Sequence, residues 1–153
     1  MFQPLLRKVN YESRKFTAVA RVGDAVSAFI VHPKHGFKAL HEMIDYTKAH
    51  PGKLTFGSSG PGTTTHFRLE MLKYKAGVDI LHVPYRGGSD SLVDLLAGVI
   101  DLMNEGSTLP HAKAGKLTLL NVNHVESFAE FPDVPTLTEL GIKGADIPVW
   151  LLG

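Results

Sequence analysis

An α/β fold built on a mostly parallel sheet is predicted by three features of the sequence. The first is a short apolar run, Leu54 to Phe56, followed by the loop Gly57-Ser58-Ser59-Gly60-Pro61-Gly62 and a helical pattern from about residue 63 to 76. The second repeats the first: Val78 to Val83 runs into Pro84-Tyr85-Arg86-Gly87-Gly88, then into a helix whose Leu92, Leu95, Leu96 and Val99 share a face. Right-handed connections place both glycine loops at one edge of the sheet, where two facing loops make a cleft. The third is size and balance. A chain of 153 residues with 44% hydrophobic and 20% charged residues is one domain with enough length to bury a core.

Taken in order, residues 1–15 read as a lead-in, with Pro4 early and Glu12-Ser13-Arg14-Lys15 before the first apolar segment. Phe16–Val22 and Ala25–Val31 are β-rich and are predicted as two strands broken at Gly23-Asp24, the second ending at His32-Pro33 because proline cannot donate to a ladder. Lys38 to His50 is predicted as a helix with Leu40, Met43, Ile44 and Thr47 inward, ended by Pro51-Gly52. In the helix from residue 63 the apolar stripe is placed on Phe67, Met71 and Tyr74 with Leu69 and Leu72, and Gly77 is its stop. Ser89 is expected to cap the next helix. Ile100–Met103 is a buried strand ending in Asn104-Glu105-Gly106-Ser107-Thr108, Pro110–Ala114 a short helix stopped by Gly115, and Leu117–Val122 another strand. Residues 124–135 are expected to be irregular and 135–141 a short helix. The apolar tail, Pro148-Val149-Trp150-Leu151-Leu152, calls for a partner surface.

Between the strand at Leu54–Phe56 and its helix lies the stretch with the most chemistry. Gly60 and Gly62 let the backbone turn sharply and let a ligand approach, Ser and Thr can cap the first turn, and unpaired N–H groups at a helix start attract an anion. Three better-known chemistries fail on single residues. A phosphate-binding P-loop needs lysine where Thr63 stands, a dinucleotide fingerprint needs glycine where Thr65 stands, and a nucleophile elbow on Ser59 needs glycine where Pro61 stands. What is left is a neutral, hydroxyl- and amide-rich site that suits a carboxylate better than a polyphosphate. A capped helix with no ligand is the alternative.

Composition removes other classes. Net charge of +1 offers no basic field for nucleic acid. No apolar run reaches membrane-span length, and the absence of cysteine removes disulfides and thiolate sites. The eight histidines are scattered without metal-ligand spacing, so no metal or cofactor is expected. Met1 to Lys8 lacks the long apolar run of a secretory signal, so no export address is expected there.

Several stretches together resemble one family. Phe16–Val22, Ala49–His66 with its G-S-S-G-x-G-T-x-x-H pattern, His82-Val83-Pro84-Tyr85-Arg86-Gly87-Gly88, Asp101–Met103, Leu109–Leu117 and Phe131–Thr136 are similar, in the same order, to the Bug family, the periplasmic solute receptors of tripartite tricarboxylate transporters. The resemblance implies one lobe of a type II periplasmic-binding-protein fold, a mostly parallel sheet with helices on both faces. It implies that the chain is the second lobe, with 1–15 leading in from a first lobe, 16–123 forming the ligand-binding lobe with its hinge strands, and 124–153 returning. It further implies a periplasmic location, a small carboxylate ligand and membrane transporter subunits as partners, and no enzymatic activity.

Carried onto this sequence, the family's ligand-holding positions are Ser58, Ser59, Gly60, Gly62, Thr63 and Thr64 in the first loop and Tyr85, Gly87 and Gly88 in the second. His66 is a candidate donor or a support for the loop, and Tyr85 either faces the cleft or packs over the sheet edge. Arg86 is expected to face solvent. Glu105 is a further candidate, although Asn104-Glu105-Gly106 departs from the family's Phe-Asp-Asn-type start. Two other readings stand beside the receptor. One is an isolated lobe that no longer binds solute and persists as a packing or oligomerisation unit, a homodimer for instance, and the other is a hydrolase using Ser59 and His66.

Overall fold

A computed structural model describes residues 8–12, 15, 17, 20–124, 129–142 and 149–152. Its centre is a five-stranded sheet of β2 (Phe29–Val31), β3 (Thr55–Ser58), β4 (Leu81–Pro84), β5 (Leu102–Asn104) and β6 (Thr118–Leu119), in the spatial order β4-β3-β5-β2-β6. β3 lies parallel to β4 and β5, while β2 is antiparallel to β5 and β6, so β2 alone is reversed. The helices are α1 (Leu40–Ala49), α2 (Thr64–Ala76), α3 (Gly88–Leu96) and α4 (Leu109–Lys113). β1 (Arg21–Ala25) pairs antiparallel with β7 (Val149–Leu152) in a separate two-stranded ribbon.

Strand alternation builds two cores. Phe29, Val31, Phe56 and Leu102 face one side and pack with Leu40 and Met43 of α1 and Leu69 and Leu72 of α2. Ala28, Ile30 and Met103 face the other and pack with Leu95 of α3, with Leu109 and Ala112 of α4 against them. Neighbouring residues of one strand thus serve opposite layers, the period-2 geometry of a sheet buried on both faces. Helices therefore cover both faces, as the sequence leads one to expect.

Several boundaries differ from the sequence reading. Gly23-Asp24 is inside β1 and not at a break; the interruption falls at Val26–Ala28, where Ser27 bridges to Asn123. β4 begins at Leu81, after Ile80 and Val78 have already turned into the core. On α2 the buried face is Thr65, Arg68, Leu69 and Leu72, spaced i, i+3, i+4, i+7, whereas Tyr74 is 81% exposed and Phe67 half-buried. Ser89 does not cap α3: Gly87 holds the N-cap position, and Val99 lies past the helix end with its side chain exposed. Residues 135–141 form successive turns and no helix, pinned by Glu139, whose carboxylate accepts from the Thr136 N–H and hydroxyl. The tail finds its partner within the chain, since β7 pairs with β1. The start of the lead-in, part of the first predicted strand at residues 16, 18 and 19, and residues 125–128 and 143–148 lie outside the described residues.

Candidate functional site

β3 ends at Ser58, β4 at Pro84 and β5 at Asn104, so the loops after all three open at the same carboxyl-terminal edge of the parallel strands. In the first loop Gly60 (φ 117°) and Gly62 (φ 72°) take left-handed backbone that other residues resist. A Cβ on Gly60 would also stand 3.1 Å from the Tyr85 carbonyl oxygen, so the first loop packs directly against the second. Thr63 caps α2: its hydroxyl accepts from the His66 N–H at 3.4 Å and donates to the Gly60 carbonyl at 2.7 Å.

Beneath the loop two histidines hold its shape. His66 Nδ1 accepts the Gly62 N–H at 3.1 Å, and its ring stacks on His82 with centroids 4.2 Å apart. Ser58 is fully buried; its hydroxyl accepts from the Gly60 N–H at 3.1 Å and shares a 2.6 Å hydrogen bond with His82 Nε2. Burial, followed by the neighbouring His66, lowers the His82 imidazole below its ordinary 6.5.

A depression of about 290 Å³ opens beside the start of α2. Ser59 and Thr63–Thr65 around the start of α2, Asn104–Gly106 after β5, and Ser27 and Arg68 line it. It borders the first turn of α2, where helix geometry leaves the Thr64 and Thr65 N–H groups without intrahelical partners. Arg68 is 3% exposed; its Nη1 donates to the Ser27 hydroxyl and, at 3.2 Å, to Asn104 Oδ1. Burial lowers its guanidinium from 12.5 to about 10, which leaves it cationic at neutral pH. Ser27 is further held by Asn123, which Asn121 supports in turn. Asn104 Nδ2 is buried without a hydrogen-bond partner.

Glu105 closes the other side. Its carboxylate accepts from the Ser59 hydroxyl and, at 3.3 Å, from the Ser107 hydroxyl. A Cβ on Gly88 would overlap that carboxyl group, so Glu105 lies against the bare Cα of Gly88. One carboxylate, from the loop after β5, thus touches the loop after β3 and the first residue of α3.

Of the residues singled out from sequence, Ser59, Thr63, Thr64 and Glu105 come together around the depression. Gly60 and Gly62 shape the loop behind it, Gly87 starts α3 and Gly88 makes room for Glu105. Ser58 and His66 are engaged in the loop's support. Tyr85 turns its hydroxyl to Asp94 Oδ2 at 2.6 Å; burial and then that hydrogen bond raise the phenol to about 12. Arg86 is exposed. Ser59 donates to Glu105 and His66 accepts from Gly62, so neither group is arranged to activate the other as nucleophile and base. Among the described residues no three His, Asp or Glu side chains converge as metal ligands.

Arg68 and Asn104 were not anticipated. The signal for Arg68 was present: a positive charge on the inward face of an amphipathic helix, between Thr65 and Leu72, requires a polar floor beneath it.

The model for the family described as tripartite tricarboxylate transporter family receptor matches residues 1–152. A relative from Cupriavidus necator, the UPF0065 protein in gbd 5'region, is 38% identical over 141 residues, covering 91% of this chain and 43% of that protein. A solved structure described as a periplasmic transporter is 30% identical and superposes with a TM-score of 0.89 over 97% of this chain and 50% of its own. A second, R. palustris Rpa4515 with adipate, is 27% identical with a TM-score of 0.85, over 94% of this chain and 49% of its own. The chain spans about half the length of the relatives it matches.

Proposed function

The chain belongs to the tripartite tricarboxylate transporter receptor family, and on that premise we propose that it is a solute-holding lobe of a periplasmic receptor, taking a small carboxylate into the depression beside α2. The observation that carries the reading is the setting of that depression: the start of α2 with its Thr64 and Thr65 amides, the Thr64 hydroxyl and the buried cation Arg68 meet at one sheet edge. A carboxylate entering it exchanges water for fixed N–H and O–H donors, with the helix dipole and the guanidinium offsetting its lost hydration. No bond is made or broken. The bound adipate of one neighbour is the same class of ligand. Closure of a second lobe over the cleft would supply the remaining contacts, and delivery to a membrane transporter the outcome.

The test is an NMR titration of the 15N-labelled chain with adipate, succinate and citrate, which registers weak binding. The expected result is saturable movement of the Thr64 and Thr65 amide signals, together with Glu105 and Ser59. Signals that stay fixed at millimolar ligand would dismiss the reading. A rival, the self-assembling lobe, draws on the edge strand β4, where Leu81 is 55% exposed. Light scattering across a hundredfold concentration range decides it, since a constant monomer mass leaves no such assembly.

A further inference from the structure

The two sides of the depression ask for opposite things of a ligand. On one side stand donors: the first-turn amides of α2, the buried Arg68 guanidinium and the buried Asn104 Nδ2, which has no partner of its own. These suit a carboxylate, and they are the basis of the reading above, on which this inference rests. On the other side stands Glu105, and it changes the character of its neighbours. Because Ser59 gives its hydroxyl proton to the Glu105 carboxylate, it is left to offer lone pairs to anything else. Acceptors therefore gather around Glu105, while the Thr64 and Thr65 amides and the Arg68 cation stand at the start of α2. A second ligand carboxylate placed against Glu105 would meet a like charge and no donated proton. A protonated amine there would gain an ion pair and up to three hydrogen bonds.

The geometry points to Glu105 as the specificity-determining residue, selecting an amino-carboxylate over a plain dicarboxylate. The ligand's carboxylate lies on the α2 side and its ammonium on the Glu105 side. Gly88 is part of the same device, because only a residue without Cβ lets the Glu105 carboxyl group lie where it does.

Succinate and aspartate share a skeleton and two carboxylates and differ in one ammonium, so the pair isolates the feature. In an NMR titration of the whole 153-residue chain, aspartate is expected to saturate the Thr64, Thr65 and Glu105 signals at about one-tenth the concentration succinate needs, the fold-change of one charge-assisted contact. In Glu105→Gln that ratio is expected to fall to near one. Gly88→Ala, whose new methyl displaces the carboxyl group but leaves its charge, is expected to lose the preference as well and serves if Glu105→Gln gives a collapsed spectrum. Succinate binding as tightly as aspartate to the unaltered chain overturns the specificity proposal and leaves the carboxylate reading standing. So does a preference that survives both substitutions. Silence of the loop amides toward both ligands overturns the two together.

Discussion

Gly57 has no room for a side chain. A Cβ there would overlap Ile100 Cδ1 and stand 3.0 Å from Ser91 Cβ, because α3 packs directly on β3 at this point. Gly57→Ala must push α3 off the sheet or tilt β3, and is expected to cost about 2 kcal/mol, the usual scale of overpacking in a filled core; a urea midpoint unchanged from the parent would contradict the packing. Asp101 works through charge. Burial alone would raise its pKa, but hydrogen bonds from Lys34, His35 and the Thr55 hydroxyl and N–H outweigh it and bring the carboxyl from 3.8 to about 2. A folded-state pKa below the unfolded one means that the unfolded chain takes up the proton first. The contribution is therefore complete well above 3.8 and is lost as pH falls from there towards 2, amounting to about 2 kcal/mol. Urea unfolding at a series of pH values reads it directly. The parent should lose stability over that interval, and Asp101→Asn should be weaker at neutral pH with a flatter acid limb.

At the scale of elements, α2 carries the candidate site, and its limits are close to those the sequence predicts. Gly77, the left-handed stop (φ 64°), is found where the pattern put it, and the Ser/Thr cap expected before the helix proves to be Thr63. Thr63→Ala should cost about 1 kcal/mol of stability. It should also loosen the Gly60–Gly62 loop, because the same hydroxyl donates to the Gly60 carbonyl; faster amide exchange at Gly62 and Thr64 would register the second effect, and unchanged exchange would confine Thr63 to capping. The face of α2 was less legible. Apolar spacing alone favoured Phe67 and Tyr74, yet a buried guanidinium at Arg68 takes the inward position because Ser27 and Asn104, from distant segments, satisfy it. Such long-range polar partners leave no periodic trace. The same holds for the turns at 135–141, where a Thr136–Glu139 pairing supplies local hydrogen bonds that compete with a helix. That the two glycine loops face each other at one sheet edge was readable, and Gly60 does pack against the Tyr85 carbonyl. The pairing of Ser59 with Glu105 was not, since their contact spans 46 positions.

Across the whole molecule, stability is expected to be uneven. The central sheet is shared by both cores: Phe29 and Ile30, or Leu102 and Met103, are chain neighbours that face opposite layers. Opening either layer therefore exposes strands that the other needs, which couples the two into one cooperative unit. The β1–β7 ribbon is different. It is two-stranded, it belongs to neither five-stranded neighbour, and its pairing joins Arg21 to Leu152 across nearly the full length of the chain. A two-stranded sheet is marginal without a third strand or a covering layer, and closing so long a loop adds an entropic cost that local contacts do not repay. Native-state hydrogen exchange should consequently divide the molecule. Amides of Ile30, Phe56, Leu102 and Met103 should exchange only by global unfolding and follow its denaturant dependence. Those of Gly23, Ala25, Val149 and Leu151 that take part in the ribbon should exchange through a smaller opening with little such dependence. A carboxylate held at the α2 loop should slow exchange in the loop and leave the ribbon as it was. Ribbon amides protected to the global limit would instead make β1 and β7 part of the same cooperative unit as the central sheet.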